Sequence, residues 1–527
     1  MNKLNKLTLT ALSVLALVGC ADLDTEPFST TITADQKEQV VAADPSKIEA
    51  SVTAICSGFT VYGATYGEDQ HNDFGYPSIM LMTDSRGSDM SSYSIGYNWF
   101  NGALTLQDCT NDSGSTHMIW TTLYNQIFVA NNVIGTIDPE TEEPLSQYYL
   151  AQALAIRAFD YFTLVQLYQF TYKGNENKDG VPIITPENKE EAAANGLARS
   201  SVQEVYDFVM NDITKAIELL KSSGKARSDK RYVSLDVAYG IRARINLVME
   251  NWSAALSDAE AALSTTPYTP LSLEEAAKPG FIDIEDHSWM WGVLITDKDR
   301  VSTTGICNFP SHMGSLNYGY ASVGAWRMIN KKLFNSIPLT DVRRGWFLDE
   351  NRESVNLTPV QQDYISETSA AAYTQVKYGV KADEVGTSEN DNDVPLMRVE
   401  EMYLIKAEAQ AMSGDVAGGL QTLQDFVQVY RNPAYLCNAA SAQELQDAVW
   451  YQRRLEFWGE GLSWYDIKRL NKGIHRLGGG FPAVGVFEFD GTDNIMNYPI
   501  PFNEEQYNKL LEPNPTVKAP DPIPDAE

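Results

Sequence analysis

The chain has 527 residues, with 70 Asp and Glu against 40 Lys and Arg and a formal net charge of -30. Such an acidic excess argues against nucleic acid and anionic lipid surfaces as partners, and keeps a folded body dispersed. The length allows more than one domain, but no Gly/Ser-rich or Pro-rich internal linker divides it, which predicts one interlocked body.

Lys3 and Lys6 open the chain, and Leu7 to Val18 form a mostly apolar run without charge. Its length suits a secretory signal better than a permanent span. Leu17-Val18-Gly19-Cys20 resembles the lipobox of bacterial lipoproteins, so residues 1–19 are expected to be removed and Cys20 acylated. More than one acyl chain on Cys20 would make the anchor stable. Residues 20–45 carry Asp22, Asp24 and Glu26 and then a Ser/Thr-rich stretch. They read as a tether, with the folded body over 46–527. The acids just after Cys20 also resemble a surface-export signal of some Gram-negative lipoproteins. Cys56, Cys109, Cys307 and Cys437 are far apart, have no metal-ligand spacing and read as single buried thiols.

The elements alternate between loop-rich and helical stretches. Residues of about 60–110 are irregular and aromatic. Trp120, Leu123, Tyr124, Ile127, Phe128 and Asn131 then recur at three and four, predicting a helix with a largely apolar face. Its partner is expected over about 147–172, with Leu154, Ala158, Tyr161, Phe162, Val165 and Tyr168 buried. Ser201-Val202-Gln203-Glu204 is a capping-box pattern opening a second pair, whose members continue over about 235–249 and on to about Leu263. The cap-like texture returns over about 265–394, where Trp289 and Trp291 read as core residues of a short strand. A third pair spans Glu400 to Tyr430, broken at Ser413-Gly414-Asp415, and a last long helix runs from Ser441 to about Gly461. Helix pairs thus occupy about 115–263 and 398–470. Small residues facing large ones, as in Ala407, Ala409 and Ala411, resemble tetratricopeptide pairs with irregular spacing.

Enzymatic signals are sparse. His71, His117, His287, His312 and His475 form no H-E-x-x-H pair, no phosphate loop surrounds Gly224-Lys225, and there is no G-x-S-x-G elbow. Glu389-Asn390-Asp391-Asn392-Asp393 lacks the glycine and distal glutamate of an EF-hand loop, and reads as a solvated loop. The expectation is a protein with no catalytic residues, no metal site and no obligatory cofactor.

Arg453-Arg454-Leu455-Glu456-Phe457-Trp458-Gly459-Glu460-Gly461, followed by Trp464-Tyr465-Asp466-Ile467-Lys468-Arg469, resembles the closing signature of the SusD/RagB family. Leu396-Met397-Arg398 through Ala409, Asp341-Val342-Arg343-Arg344, Tyr498-Pro499-Ile500-Pro501 and Ala155 to Phe162 are similar to further landmarks of that family. Gln452 and Ser463 depart from it, standing where Glu and Arg are common. The resemblance implies a mainly α fold of tetratricopeptide-type helix pairs, with an irregular cap containing short strands. It further implies a surface-facing outer-membrane lipoprotein that captures oligosaccharide for a SusC-like TonB-dependent barrel; a minority branch takes peptides. A surface glycan hydrolase is the enzymatic alternative. The signature's arginines and carboxylates are expected to pair between helices, leaving ligand contacts to the loops.

Sugar rings present apolar C–H faces beside hydroxyl edges, so a binder needs exposed aromatic planes flanked by amides or charges. Tyr97-Asn98-Trp99-Phe100-Asn101, after Asp84-Ser85-Arg86, offers that mixture where the family often places ligand contacts. Asn317-Tyr318-Gly319-Tyr320 is the second such segment. Trp99, Asn101, Arg86, Tyr318 and Tyr320 are therefore the candidate ligand-binding residues. His71 to Tyr76 is either a further approach to the ligand or a structural turn.

Overall fold

The computed structural model describes residues 34–526. Cys20 and the signal segment 1–19 lie outside the described residues. The tether reading needs a correction where it overlaps them: Ala34–Ala43 is helical, and Val41 is buried in the main core. The body therefore begins before residue 46.

The scaffold is mainly α, as the periodicity predicts. Gly114–Ile134 packs on Pro144–Tyr168, which packs in turn on Val202–Ser223. Leu235–Val248, Trp252–Thr265, Val399–Met412, Val416–Tyr430 and Ala442–Glu456 continue the series of packed neighbours. The ends follow local chemistry. Ser201 and Glu204 make the reciprocal capping box, satisfying backbone donors that the first turn leaves orphaned. Ser413-Gly414-Asp415 separates two helices, and the Asp415 side chain caps the second through Gly418 N–H. One prediction fails in detail: Phe128 is exposed, although Trp120, Leu123, Ile127 and Asn131 on the same helix are buried.

Pro144–Tyr168 is buried on nearly every face, because helices flank it on both sides. Its Arg157 is neutralised by Asp212, with Nε–Oδ2 at 2.7 Å. The last predicted helix stops at Glu456, short of Gly461. Gly461 has φ 74° and lies against Met80, where a Cβ would meet Met80 Cβ at 2.7 Å. This sharp turn lets Ser463–Arg469 fold back as a separate helix.

The cap contains only short strands. Trp289–Val293 pairs antiparallel with Val394–Arg398, and Met90–Ser91 pairs with Met328–Ile329. Trp289 and Trp291 are fully buried, as expected of core residues. The 60–110 stretch is less irregular than its composition suggests, since Tyr76–Arg86 is a helix buried along its whole length. Cys56, Cys109 and Cys307 are buried, while Cys437 is half-buried; none of these four forms a disulfide.

The closing signature forms a charge lattice inside the molecule. Glu456 accepts from Arg343, Arg398 and Arg431 at 2.7–3.3 Å, all fully buried. Arg398 also reaches Glu400 and Glu460, and Arg453 and Arg469 share Asp466. The two departures fit this lattice: Gln452 Oε1 accepts from Arg343, and Ser463 donates to Asp89 beside Arg454. These residues hold helices together, and the carboxylates among them, Glu400, Glu456, Glu460 and Asp466, are buried.

Candidate functional site: an aromatic platform

The pairing of Met90 with Ile329 and of Ser91 with Met328 brings the segment after residue 91 beside the loop before residue 328. Arg327 ties them together. Its guanidinium is buried, donates to His312 O at 2.8 Å and Asn98 Oδ1 at 3.1 Å, and lies over the Phe100 ring. Asn98 in turn braces its own loop, donating to Tyr93 O and accepting from Phe100 N–H. Arg327 has no carboxylate partner among the described residues, and burial pushes its pKa down to about 9. This cation is a brace rather than half of an ion pair.

Upon that brace stand the rings. His71 stacks on Trp99 with centroids 4.6 Å apart, and its Nδ1 is hydrogen-bonded to the Tyr320 hydroxyl. His312 stacks under Tyr320 at 4.9 Å, and Phe74 stacks on His312 at 5.5 Å. Tyr97 lies 6.2 Å from Tyr320, and Trp99 meets Tyr320 edge-on at 6.4 Å. Trp99 and Tyr320 are half-buried, whereas Tyr97 is 55 % exposed, with Tyr93, Ile95 and Val323 also exposed. The cluster thus has a buried foot and a wet, ring-lined upper surface.

His312 explains why the foot is rigid. Burial, aided by the Arg327 charge, pushes its pKa down to about 3, so the imidazole is neutral. Its Nε2–H donates to His71 O at 2.9 Å, which fixes the turn that carries the His71 ring. Gly319 is the other steric requirement. A Cβ there would approach Ser311 Cα to 2.6 Å, so a side chain at this position would push the Tyr318–Tyr320 loop off its support.

The structure divides the candidates from the sequence. It brings Trp99 and Tyr320 together and joins His71 to them. Tyr318 is 56 % exposed but stacks on none of these rings. Asn101 starts the short helix Asn101–Leu104 and is half-buried, its Oδ1 shut from solvent without a partner among the described residues. Arg86 is a correction: it is fully buried, pairs with Asp108, donates to Ile495 O and lies 4.5 Å from the Tyr498 ring centroid. No surface ligand reaches that guanidinium. His312 was not among the sequence candidates, and nothing in its local sequence marks it.

Chemically, the platform offers flat apolar planes, phenol hydroxyls and an imidazole edge, suited to stacking and hydrogen bonding. Asp73, the carboxylate beside this turn, is engaged by the backbone N–H groups of Thr65 and Tyr66. Among the described residues no group of three His, Cys, Asp or Glu side chains could hold a metal ion.

Comparison with known proteins agrees with this architecture. A family model described as "Starch-binding associating with outer membrane" matches residues 59–247, and the SusD family model matches 343–517. The chain is 23 % identical over 450 residues to SusD-like protein P38 of Formosa agariphila, covering 78 % of this chain and 82 % of the relative. SusD-like protein P2 of the same organism is 23 % identical over 530 residues, covering 95 % and 97 %. The crystal structure of a SusD-like carbohydrate binding protein from Bacteroides vulgatus superposes with a TM-score of 0.72 at 23 % identity, covering 88 % and 97 %. With these matches, the helix series and the charge lattice of its closing signature, the chain belongs to the SusD/RagB family.

Proposed function

We propose that this protein is a surface-facing outer-membrane lipoprotein, anchored through Cys20, that captures oligosaccharide on the Trp99–Tyr320 platform and delivers it to a SusC-like TonB-dependent barrel. The observation that carries the binding reading is the solvent-open set of rings on a buried foot, in which His312 is neutral. Such planes bury the apolar faces of sugar rings without a charged partner, and their bracing lowers the ordering cost of binding. The descriptions of the matched family and of its relatives support a carbohydrate as cargo and the outer membrane as location. The protein binds without turnover in this reading.

Purified protein incubated with glycan and peptide panels, with calorimetry for binding and mass spectrometry for products, tests it. Glycan binding without products is the expected result. Preferential peptide binding favours the peptide-capturing branch, and protein-dependent products favour a hydrolase. Cys20→Ala should move the protein from membrane to soluble fraction, and mild-detergent pull-down without cargo should recover the barrel.

A further inference from the structure

A cleft outside the platform opens on the helical scaffold, where the segment after Tyr168 meets the ends of five helices; its volume is 570 Å³. It shares no residue with the platform. In a chain of net charge -30, its lining carries five cations and a single carboxylate, Glu250. Two of the cations are neutralised within the fold: Arg469 by Glu408 and Asp466, and Lys472 by Asp447 at 2.7 Å.

The other three are not. Lys178 rests its ammonium over the Phe170 ring at 4.8 Å and, like Lys173, makes no ion pair among the described residues. The exposed carboxyl of Glu176 feels Lys173 without contacting it. Lys468 is the more telling of the three. It is 5 % exposed, and its ammonium donates to two neutral oxygens, Gln169 O at 2.7 Å and Asn497 Oδ1 at 2.8 Å, with no carboxylate partner among the described residues. An ammonium held away from water without a counter-charge is costly. Burial, with the Arg86 charge, accordingly pushes the Lys468 pKa well below its ordinary value, so that a bound anion would favour the charged form. An anion in the cleft would offset that cost and complete the field of Lys173 and Lys178.

The rest of the lining narrows the ligand. Trp252 contributes a half-buried indole, and Gln443 and Asn471 contribute exposed amides. An inorganic anion needs no indole, and an acidic peptide has no ring face to lay on it. A sugar acid uses all three: carboxylate to ammonium, C–H face to indole, and hydroxyls to amides. The volume falls within the range of about 300–1,000 Å³ usual for small-ligand sites.

We propose that this cleft is a second ligand site, which binds an anionic saccharide of the uronate class through Lys173, Lys178 and Lys468 with Trp252 as its stacking plane. The site goes beyond the platform and does not depend on it.

The test titrates the full soluble chain with trigalacturonate, its methyl ester, inorganic sulfate and a hexaglutamate peptide at low and high salt. Trigalacturonate is expected to bind, the ester at least about ten-fold more weakly, with affinity falling as salt rises. The double variant K173Q/K178Q, which alters only exposed side chains, should weaken trigalacturonate about ten-fold or more, and Trp252→Ala should weaken it separately. Trp99→Ala should leave it unchanged, which separates this site from the platform. Equal binding of acid and ester, equal binding by parent and K173Q/K178Q, or no binding of trigalacturonate overturns the proposal. Binding of hexaglutamate or sulfate as strongly as trigalacturonate also overturns it, reassigning the cleft to acidic peptides or to simple anions.

Discussion

Around Glu456, arginines from three other segments converge on one carboxylate and water is excluded; around Trp99, rings from three segments converge with little formal charge and stay open to water. Both regions knit distant parts of the chain, but with different consequences. A closed charge lattice rewards a single arrangement of helices, because moving one member strands its partners. An open ring cluster rewards a ligand, because a sugar face can cover planes that the described residues leave exposed. Beneath the platform Arg327 bonds neutral oxygens, so its charge is uncompensated among the described residues and helps to keep His312 neutral.

The largest expected effects test the closed side of this comparison. Glu456→Ala strands three buried guanidinium groups and should cost about 3–5 kcal/mol of stability. Trp291→Ala should cost a similar amount, about 3–5 kcal/mol, by leaving a cavity. Arg86→Ala belongs with them, since it strands Asp108. Denaturant unfolding measures all three, and calorimetry on the folded fraction should show parent-like glycan affinity. Lost affinity in folded Arg86→Ala would break the division between lattice and platform.

Next is a pH effect inside the lattice. Burial pushes Asp84 up from 3.8 to about 7, against the lowering influence of the Gly461 N–H bond. Its folded pKa exceeds its unfolded value, so between these pH values the native state holds a proton that the unfolded state releases. Stability should therefore fall as pH rises from about 4 to about 7, by up to about 4 kcal/mol for this group. Glu456 has the opposite sign. Burial alone raises it, but Arg431, Arg398 and Arg343 outweigh burial and hold the carboxyl far below its ordinary range. Its contribution is present above the ordinary carboxylate pKa and is lost as acid protonates it. Thermal melts of Asp84→Asn across pH 5–8 should be flatter than those of the parent, and an unchanged slope would remove Asp84 as the cause.

On the open side, Trp99→Ala and Tyr320→Ala should each weaken glycan binding by about 1–3 kcal/mol, roughly ten-fold or more, with thermal transitions nearly unchanged. A Trp99 variant that melts early and binds normally would place Trp99 with the core instead.

The helical scaffold was legible because its signals are local: three-and-four periodicity, a capping box at Ser201, and a glycine turn at Gly414. Tyr76–Arg86 was not. A helix buried on all faces shows no polar stripe, and Asp84-Ser85-Arg86 at its end looks like a polar loop. Arg86 was misread for that reason, since the residue type suits a ligand contact and only the fold reveals Asp108 beside it. Trp99 and Tyr320 were found one at a time from exposed-loop chemistry, but their meeting was not, since His71 and the Tyr320 it bonds are 249 residues apart. His312 gave no signal because its role depends on the rings above and below it.

Tyr318 gives the smallest expected effect and marks where the platform ends. Its backbone is fixed, with N–H bonded to Thr387 O at 2.8 Å and its carbonyl accepting from Asn390 Nδ2 at 2.9 Å. Its ring is 56 % exposed and has no stacking neighbour among the described residues, unlike Tyr320 two residues later. A free ring must lose rotamer freedom to stack on a sugar, at about 0.5–1.5 kcal/mol, whereas the braced Tyr320 ring has already lost it. Tyr318→Ala should therefore leave the thermal transition unchanged and weaken glycan binding by less than about 1 kcal/mol, under roughly five-fold. A ten-fold loss, matching Tyr320→Ala, would mean that bracing does not set a ring's contribution and that the binding surface extends along the loop past Gly319. No loss at all would end the site at Tyr320 and leave His71, Trp99 and Tyr97 as its remaining rings.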